Sequence, residues 1–440
     1  MPTLAHRIYI LYRRHSDFVL LLILFVTFRV LALVAFRPGG LVLDFSDFYW
    51  YREFAQLTRQ GYYPYYNLWI NYPPLFPLVM IAIYQLSALI PPWDYTNLWF
   101  TLLLGGFFLV FEIGNFILLY LLALELYQEE SGINSSLANE ESRIDSEQNA
   151  VGINSGLLKG ESGIQTALAL RPCWIYAALF VPVYSLTGWF ESYPLFFFVL
   201  SLYLLLKNRP YLSAFFTGVG VMVKLIPFIL IPVAVQWVAN YKLQIIKYSA
   251  HKNLSANNSP STIRHSPFTI HPSSLLLHPS SFLLPFDLPR IALYLIIFGV
   301  TVLAIAAPFY LMNPALILGP QQINDARLPW QSVWALLDGN YNYGSLPLDL
   351  RSLAWNPADK LPSRIPWLPV TVIFGLIYAF FYTRPLNWRK PGHTLAFVGF
   401  TMGLFMLWSK GYSPQWLGWL LFFVALLLPN LRGVIYAVLL

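Results

Sequence analysis

Two carboxylates, Asp44 and Asp47, stand just beyond the first long apolar run, in "LVLDFSDFYWYREFAQLTRQGYYPYYNLWINYPPL" (41–75). A carboxylate at the edge of a lipid phase can take a proton from a hydroxyl, provided its neighbours tune its pKa. Three residues apart, the two would share one face of a helical turn. Asp47 can equally be the N-cap of the amphipathic segment that follows, and the sequence leaves both readings open. A third acid, Glu191, lies in "GWFESYP" (188–194) between two apolar segments, where an acid is costly unless it reaches water or a partner. Lys224, in "GVGVMVKLIPF", either snorkels to an interface or meets an anion such as a phosphate. Lys410 and Gln415, in "KGYSPQW" (410–416), mark a helix start, where free N–H groups favour anions, or a Pro-initiated helix with an interface anchor.

The 41–75 stretch adds seven tyrosines and two tryptophans. Tyr51, Tyr65 and Tyr72 are candidate sugar or acceptor contacts, since rings stack on the apolar faces of pyranoses; an interfacial aromatic belt explains the same residues. "NYPPL" (71–75) is a rigid turn or a helix start. Walker, HExxH and GxSxG patterns are missing from the chain, and its seven histidines are scattered. No cofactor is called for, and a divalent metal is left open.

The elements that must position these groups are apolar. The chain has 440 residues, of which 57% are hydrophobic and only 11% charged, with a mean hydropathy of +0.57. A soluble domain is nearer a quarter charged. The net charge of +7 sits in short tracts between apolar runs, as membrane topology requires, so a nucleic-acid partner is excluded. The single cysteine, Cys173, rules out an internal disulfide.

Lys and Arg in short loops mark the cytoplasmic side. The basic start "HRIYILYRRH" places the N-terminus inside, the span 18–36 running outward, and the two aspartates outside. The apolar stretch 75–90 is shorter than the roughly 20 residues a span needs. Read as re-entrant or interfacial, it leaves the basic tracts 207–209, 241–252 and 383–390 all inside. Spans are then expected at 98–125, 167–186, 190–206, 211–223, 225–238, 290–310, 366–382, 393–409 and 414–428, with a further helix begun at 432. The expected architecture is one all-α integral membrane domain (1–440), a polytopic transmembrane helical bundle of about 10–11 spans. Its first outer loop covers 37–97 and a second large one 311–365. Two inner segments, 127–166 and 253–289, repeat "ESGI" and "HPSS" and are expected to be disordered insertions.

The order of the motifs is familiar: "DFYWY", "GYYPYY" and "YPPL" in the first outer loop, then "GWFESYP", "GVGVMVKLIPFILIP" and "SPQWLGWLL". It resembles the GT-C superfamily of membrane glycosyltransferases, nearest to bacterial polyprenol-phosphate-mannose-dependent mannosyltransferases. The resemblance implies a GT-C-type bundle with re-entrant helices in the first outer loop. It implies a hexosyltransferase or mannosyltransferase of the bacterial-type plasma membrane, with its site on the outer face. A polyprenyl-phosphate sugar would be the donor and a lipid, glycan or protein the acceptor, among membrane lipids. Asp47 matches the first-loop catalytic aspartate and Lys224 the hairpin lysine. Glu191 replaces the acid of a "GQxD"-like turn, and with Asp44 is a supporting acid. Lys224 and Lys410 would meet the donor phosphate, and single displacement would invert the sugar. The competing expectations are a transporter or flippase, an O-antigen-ligase-like enzyme, and a non-catalytic scaffold.

Overall fold

Helix α1 (Ser16–Ala35) is apolar over its whole length and long enough to cross a bilayer. The computed structural model describes residues 12, 15–35, 47–91, 96–145, 156–239, 287–318, 328–339 and 363–440, with the backbone alone at 96–97, 128–145 and 156–165. Named strands are absent among the described residues, and helices make up the fold.

In the first outer loop lie α2 (Phe48–Gln56) and α3 (Leu75–Ser87). The central element is α4 (Thr96–Asp145), whose stretch Leu98–Tyr127 is largely buried although apolar enough to span a membrane. Its first half packs in one cluster with α2 and α3, through Phe100, Leu104 and Phe108. Its second half, through Phe116, Leu119 and Leu122, packs in another with α1, α5 (Gly156–Ala178) and α7 (Ser192–Leu206). Between α5 and α7 lies α6 (Phe180–Gly188), bent from α5 by 51°. Pro182, lacking an N–H, cannot satisfy the Ala178 carbonyl, so the helix breaks at Leu179. Then come α8 (Pro210–Val223), α9 (Leu230–Ala239) and α10 (Leu288–Met312), the last with only Tyr294 and Thr301 buried. The C-terminal part holds α11 (Val333–Asp338), α12 (Trp367–Tyr382), α13 (Pro391–Trp408), α14 (Leu417–Leu427) and α15 (Leu431–Leu439).

Among the described residues the expected helices are present within a few residues, and fewer of them than expected have the length of a full span. Among the described residues three helices are long and apolar enough to cross a membrane, and a fourth if the bent α5–α6 pair is one span. Helices such as α7, α8 and α12 have 14–16 residues, ended by Pro or by a polar break, and fall short of the roughly 20 that a perpendicular span needs. The chain is thus a multi-pass helical membrane protein. The segment 127–166, expected to be disordered, is helical at both ends, because α4 continues to Asp145 and α5 begins at Gly156. Extending a helix already nucleated by a buried span costs little where Glu, Leu, Ala and Gln recur. Residues 146–155 and nearly all of 253–289 lie outside the described residues.

An ion pair inside the bilayer region ties three helices together. Arg29 of α1 is fully buried and donates to Glu112 Oε1 of α4 at 3.4 Å, while the Tyr176 hydroxyl of α5 donates to Oε2 at 3.3 Å. The guanidinium lies 3.4 Å over the Phe25 ring. Near it, α1, α4 and α6 approach so closely that a Cβ on Gly105 would stand 2.7 Å from the Leu186 carbonyl.

Removing one partner of a buried pair strands the other charge, at about 3–5 kcal/mol. Glu112→Leu should therefore lower the unfolding temperature of the detergent-solubilised protein sharply. The double variant Arg29→Met/Glu112→Leu should recover most of the loss. Additive losses in the two single variants would show that the pair is not coupled.

Candidate functional site

Two helix breaks face each other. The first separates α6 from α7, where Trp189 is extended and Phe190 and Glu191 are buried. Serine 192 then starts α7, with Pro194 in its first turn, where a missing N–H costs nothing. The second break follows α8: Lys224 is extended, and a short 3₁₀ turn over Ile226–Ile229 leads to α9. Gly220 permits it, since a Cβ there would lie 3.2 Å from the Pro227 ring. Across the gap, Lys224 Nζ pairs with Glu191 Oε1. The other oxygen, Oε2, accepts from the Trp419 indole of α14 at 2.6 Å. The ammonium lies 4.8 Å from the Phe190 ring centroid and 5.8 Å from that of Trp416. Irregular backbone at membrane depth is tolerated where protein surrounds it, which is the situation of the first break; in the second, Ile226 and Pro227 are buried while Leu225 and Phe228 are exposed.

Asp47 completes the cluster from the outer loop. Its backbone N–H donates to the Gly188 carbonyl at 2.9 Å, fixing the start of α2 to the first break. It stands at the N-cap position, yet its side chain makes no capping bond. Oδ2 instead accepts from the Tyr51 hydroxyl at 3.3 Å. Burial pushes the Asp47 carboxyl up to about 6; the Tyr51 hydrogen bond and Lys224 oppose that shift, and Glu191 adds to it. Tyr51 is buried against Phe76 and Phe190, and Tyr72 stands edge-on to the same two rings.

The structure thus brings Asp47, Tyr51, Tyr72, Glu191 and Lys224 together. Tyr65 is elsewhere in use. It is buried, its ring meets Phe309 at 5.2 Å, and its hydroxyl donates to the Tyr72 carbonyl, so it props up Tyr72 from beneath. Its φ of +65° is a left-handed conformation rare for an aromatic residue. Gln415 adjoins Trp416; its amide donates to Ser413 Oγ at 2.8 Å, and its Oε1 is buried with no partner. Lys410 belongs to a loop held on Trp330, with its carbonyl accepting from Trp330 N–H and Ser332 Oγ. Gly411 is required there, because a Cβ would overlap the Trp330 ring. Asp44 lies outside the described residues.

Helix α3 rises beside the cluster. Its first turn meets Phe108 of α4 through Phe76, at 6.1 Å, and its end meets Phe100 through Tyr84, at 6.4 Å. It therefore follows only the first half of the α4 membrane stretch.

Several contributors escaped the sequence reading. Trp416 and Trp419 lie more than 190 residues from Lys224, and no spacing rule links them. Arg29, Glu112 and Asn115 were legible in principle, as polar residues inside apolar runs. They support the site from below: Asn115 Nδ2 donates to the Ser192 carbonyl at 2.9 Å, and Ser192 Oγ donates to the Phe108 carbonyl at 3.2 Å. These bonds hold the turn that carries Glu191.

A multi-pass helical membrane protein with a polar cluster where two broken helices meet an outer-loop carboxylate is the class that this geometry defines. Residues 18–288 match the family described as GPI transamidase subunit PIG-U, and the chain belongs to that family. The search of curated proteins finds no match for the chain.

The family overturns the mannosyltransferase expectation, and with it the enzyme class, the polyprenyl-phosphate sugar donor and its acceptors, and the transporter and flippase alternatives. The physical reason is that the quoted motifs record the needs of a polar cluster at a lipid boundary. Boundary carboxylates, aromatic loops and proline-ended helix breaks meet those needs without specifying a transfer reaction. The cation assigned to a leaving phosphate is itself held by Glu191.

The Asp47 shift has a sign. Between about pH 4 and about pH 6 the folded protein holds a proton that the unfolded chain has released, so stability falls as pH rises through that window and levels off above it. Asp47→Asn should abolish this slope. Unfolding temperatures of both proteins across the window check it, and parallel curves would rule out a buried, shifted Asp47.

Proposed function

We propose that this protein is a membrane-embedded, non-catalytic subunit of a GPI-transamidase-type assembly, and that the Asp47–Glu191–Lys224 cluster holds the sugar head of the glycolipid such an assembly handles. The observation that carries this reading is the family match over 18–288, which contains Asp47, Tyr51, Tyr72, Glu191 and Lys224. The chemistry of the cluster supports it. Lys224 and Glu191 neutralise each other, which leaves Asp47 as the uncompensated charge. An acceptor-rich site of that sign suits hydroxyl groups better than a free phosphate. Buried polar atoms without partners surround it: Asn71 Oδ1 beside Tyr72, the Tyr184 hydroxyl within electrostatic reach of Asp47, and Gln415 Oε1. A polyhydroxylated ring would satisfy such atoms, and the rings of Tyr72 and Trp416 offer it apolar faces.

In this reading α3 enters and leaves on one side of the membrane, beside the cluster. The N-terminus lies on the cytoplasmic side and the cluster on the opposite side. The basic residues Lys207, Arg209, Arg384 and Arg389 at the far end support that orientation.

The test uses the purified full chain in detergent with radiolabelled GPI glycolipid and glycan-free phosphatidylinositol. The glycan-bearing lipid should bind about tenfold tighter or more, since one hydrogen bond to a charged group is worth about 1.5–3 kcal/mol. Asp47→Asn should remove most of that preference and leave phosphatidylinositol binding unchanged. Equal affinity for the two lipids in the wild-type protein would refute the proposal.

A further inference from the structure

The end of the molecule away from Asp47 has a groove of its own. At that end the α1 start meets α4 through His15 and Tyr120, and Lys207 pairs with Glu125. Two residues beyond Glu125, the end of the α4 membrane stretch lines a groove of about 460 Å³ with the first buried turn of α5, the start of α13 and the end of α14. That volume is within the roughly 300–1,000 Å³ of small-ligand clefts.

We propose that this groove holds the phosphate head of an anionic membrane phospholipid, with Arg171 as its cation. The inference is independent of the function proposed for the Asp47 cluster. The walls are apolar, from Leu126, Leu168, Leu427 and Pro429, and the charged residue that lines them is Arg171 of α5. Arg171 is exposed, and no ion pair among the described residues includes it. An exposed arginine on a lipid-level apolar wall is matched by an anion whose remainder is itself apolar, which is what a phospholipid provides. Leu168, Arg171 and Trp174 recur every three residues and so share one face of α5. The Trp174 ring is 56% exposed there, placed for the glycerol and upper chain of the same lipid.

The groove also has a backbone donor. Gly392 is in the first turn of the 18-residue α13, where N–H groups have no helical acceptor. The N–H groups of His393 and Thr394 both go to the Lys390 carbonyl, and no described bond uses that of Gly392. A Cβ at Gly392 would come within 3.2 Å of Leu126 Cδ1, so glycine keeps this approach at its widest. The neighbouring start of α15 contributes less, because the Asn430 side chain already caps it by accepting from Arg432 N–H and Gly433 N–H. Tyr127 is wall rather than ligand, its hydroxyl being donated to the Leu426 carbonyl.

The experiment compares the full chain reconstituted in nanodiscs of phosphatidylcholine alone and with phosphatidylglycerol, reading lipid retained after detergent extraction by native mass spectrometry. Phosphatidylglycerol should be retained about tenfold over phosphatidylcholine. Arg171→Gln should erase the preference, and Arg171→Lys should keep most of it. Because Arg171 is exposed, neither change should alter the unfolding temperature in phosphatidylcholine. Equal retention of the two lipids, an undiminished preference in Arg171→Gln, or competition by soluble glycerol 3-phosphate as effective as the lipid would each overturn the proposal.

Discussion

A charge below the surface of a bilayer must bring its counter-charge with it, and this protein is organised around meeting that demand twice. Arg29 and Glu112 meet it deep among α1, α4 and α5, and Lys224 and Glu191 meet it at the two helix breaks. Neither pair joins neighbours in sequence. Each therefore forces distant segments together, and the apolar packing fills in around that choice. The two are also joined, since Asn115, one turn beyond Glu112, binds the Ser192 carbonyl next to Glu191.

This arrangement explains the broken helices. A continuous helix would satisfy its own backbone and leave no room to aim Glu191 and Lys224 at one another. Proline at 182, 194 and 227 ends or restarts the chain where it must turn, and glycine at 220 lets the second break close on Phe197 and Pro227. The unwound residues carry the polar side chains, and the rings of Phe190, in the first break itself, Trp416 and Trp419 pack against them. Asp47 is then locked to the first break by its own backbone, so the outer loop and the membrane helices share one polar site.

The two ends of the molecule differ in kind. At the Asp47 end, Lys224 and Glu191 neutralise each other, and Asp47, an acceptor, is the charge that remains. At the other end, apolar walls stand next to the exposed Arg171. The two ligands proposed above differ accordingly, a sugar head at one end and a lipid phosphate at the other.

Membrane class and helix positions were legible in the sequence, because apolar length and proline or glycine punctuation act locally. Asp47, Glu191 and Lys224 were legible as polar residues beside or within apolar runs. How they touch was not. Whether Lys224 faces an outside anion or Glu191, and whether Tyr65 faces a ligand or the core, depends on side chains far apart in sequence, Glu191 33 residues from Lys224 and Phe309 much farther from Tyr65. The number of full spans also eluded composition, since an apolar helix of fifteen residues reads the same whether it crosses, bends or stops. The same limit applies to function. Short motifs at a lipid boundary satisfy requirements shared by unrelated families, and they do not encode which reaction, if any, takes place there. Local chemistry set the elements, and only tertiary packing decided which charges were spent on one another and which were left for a partner.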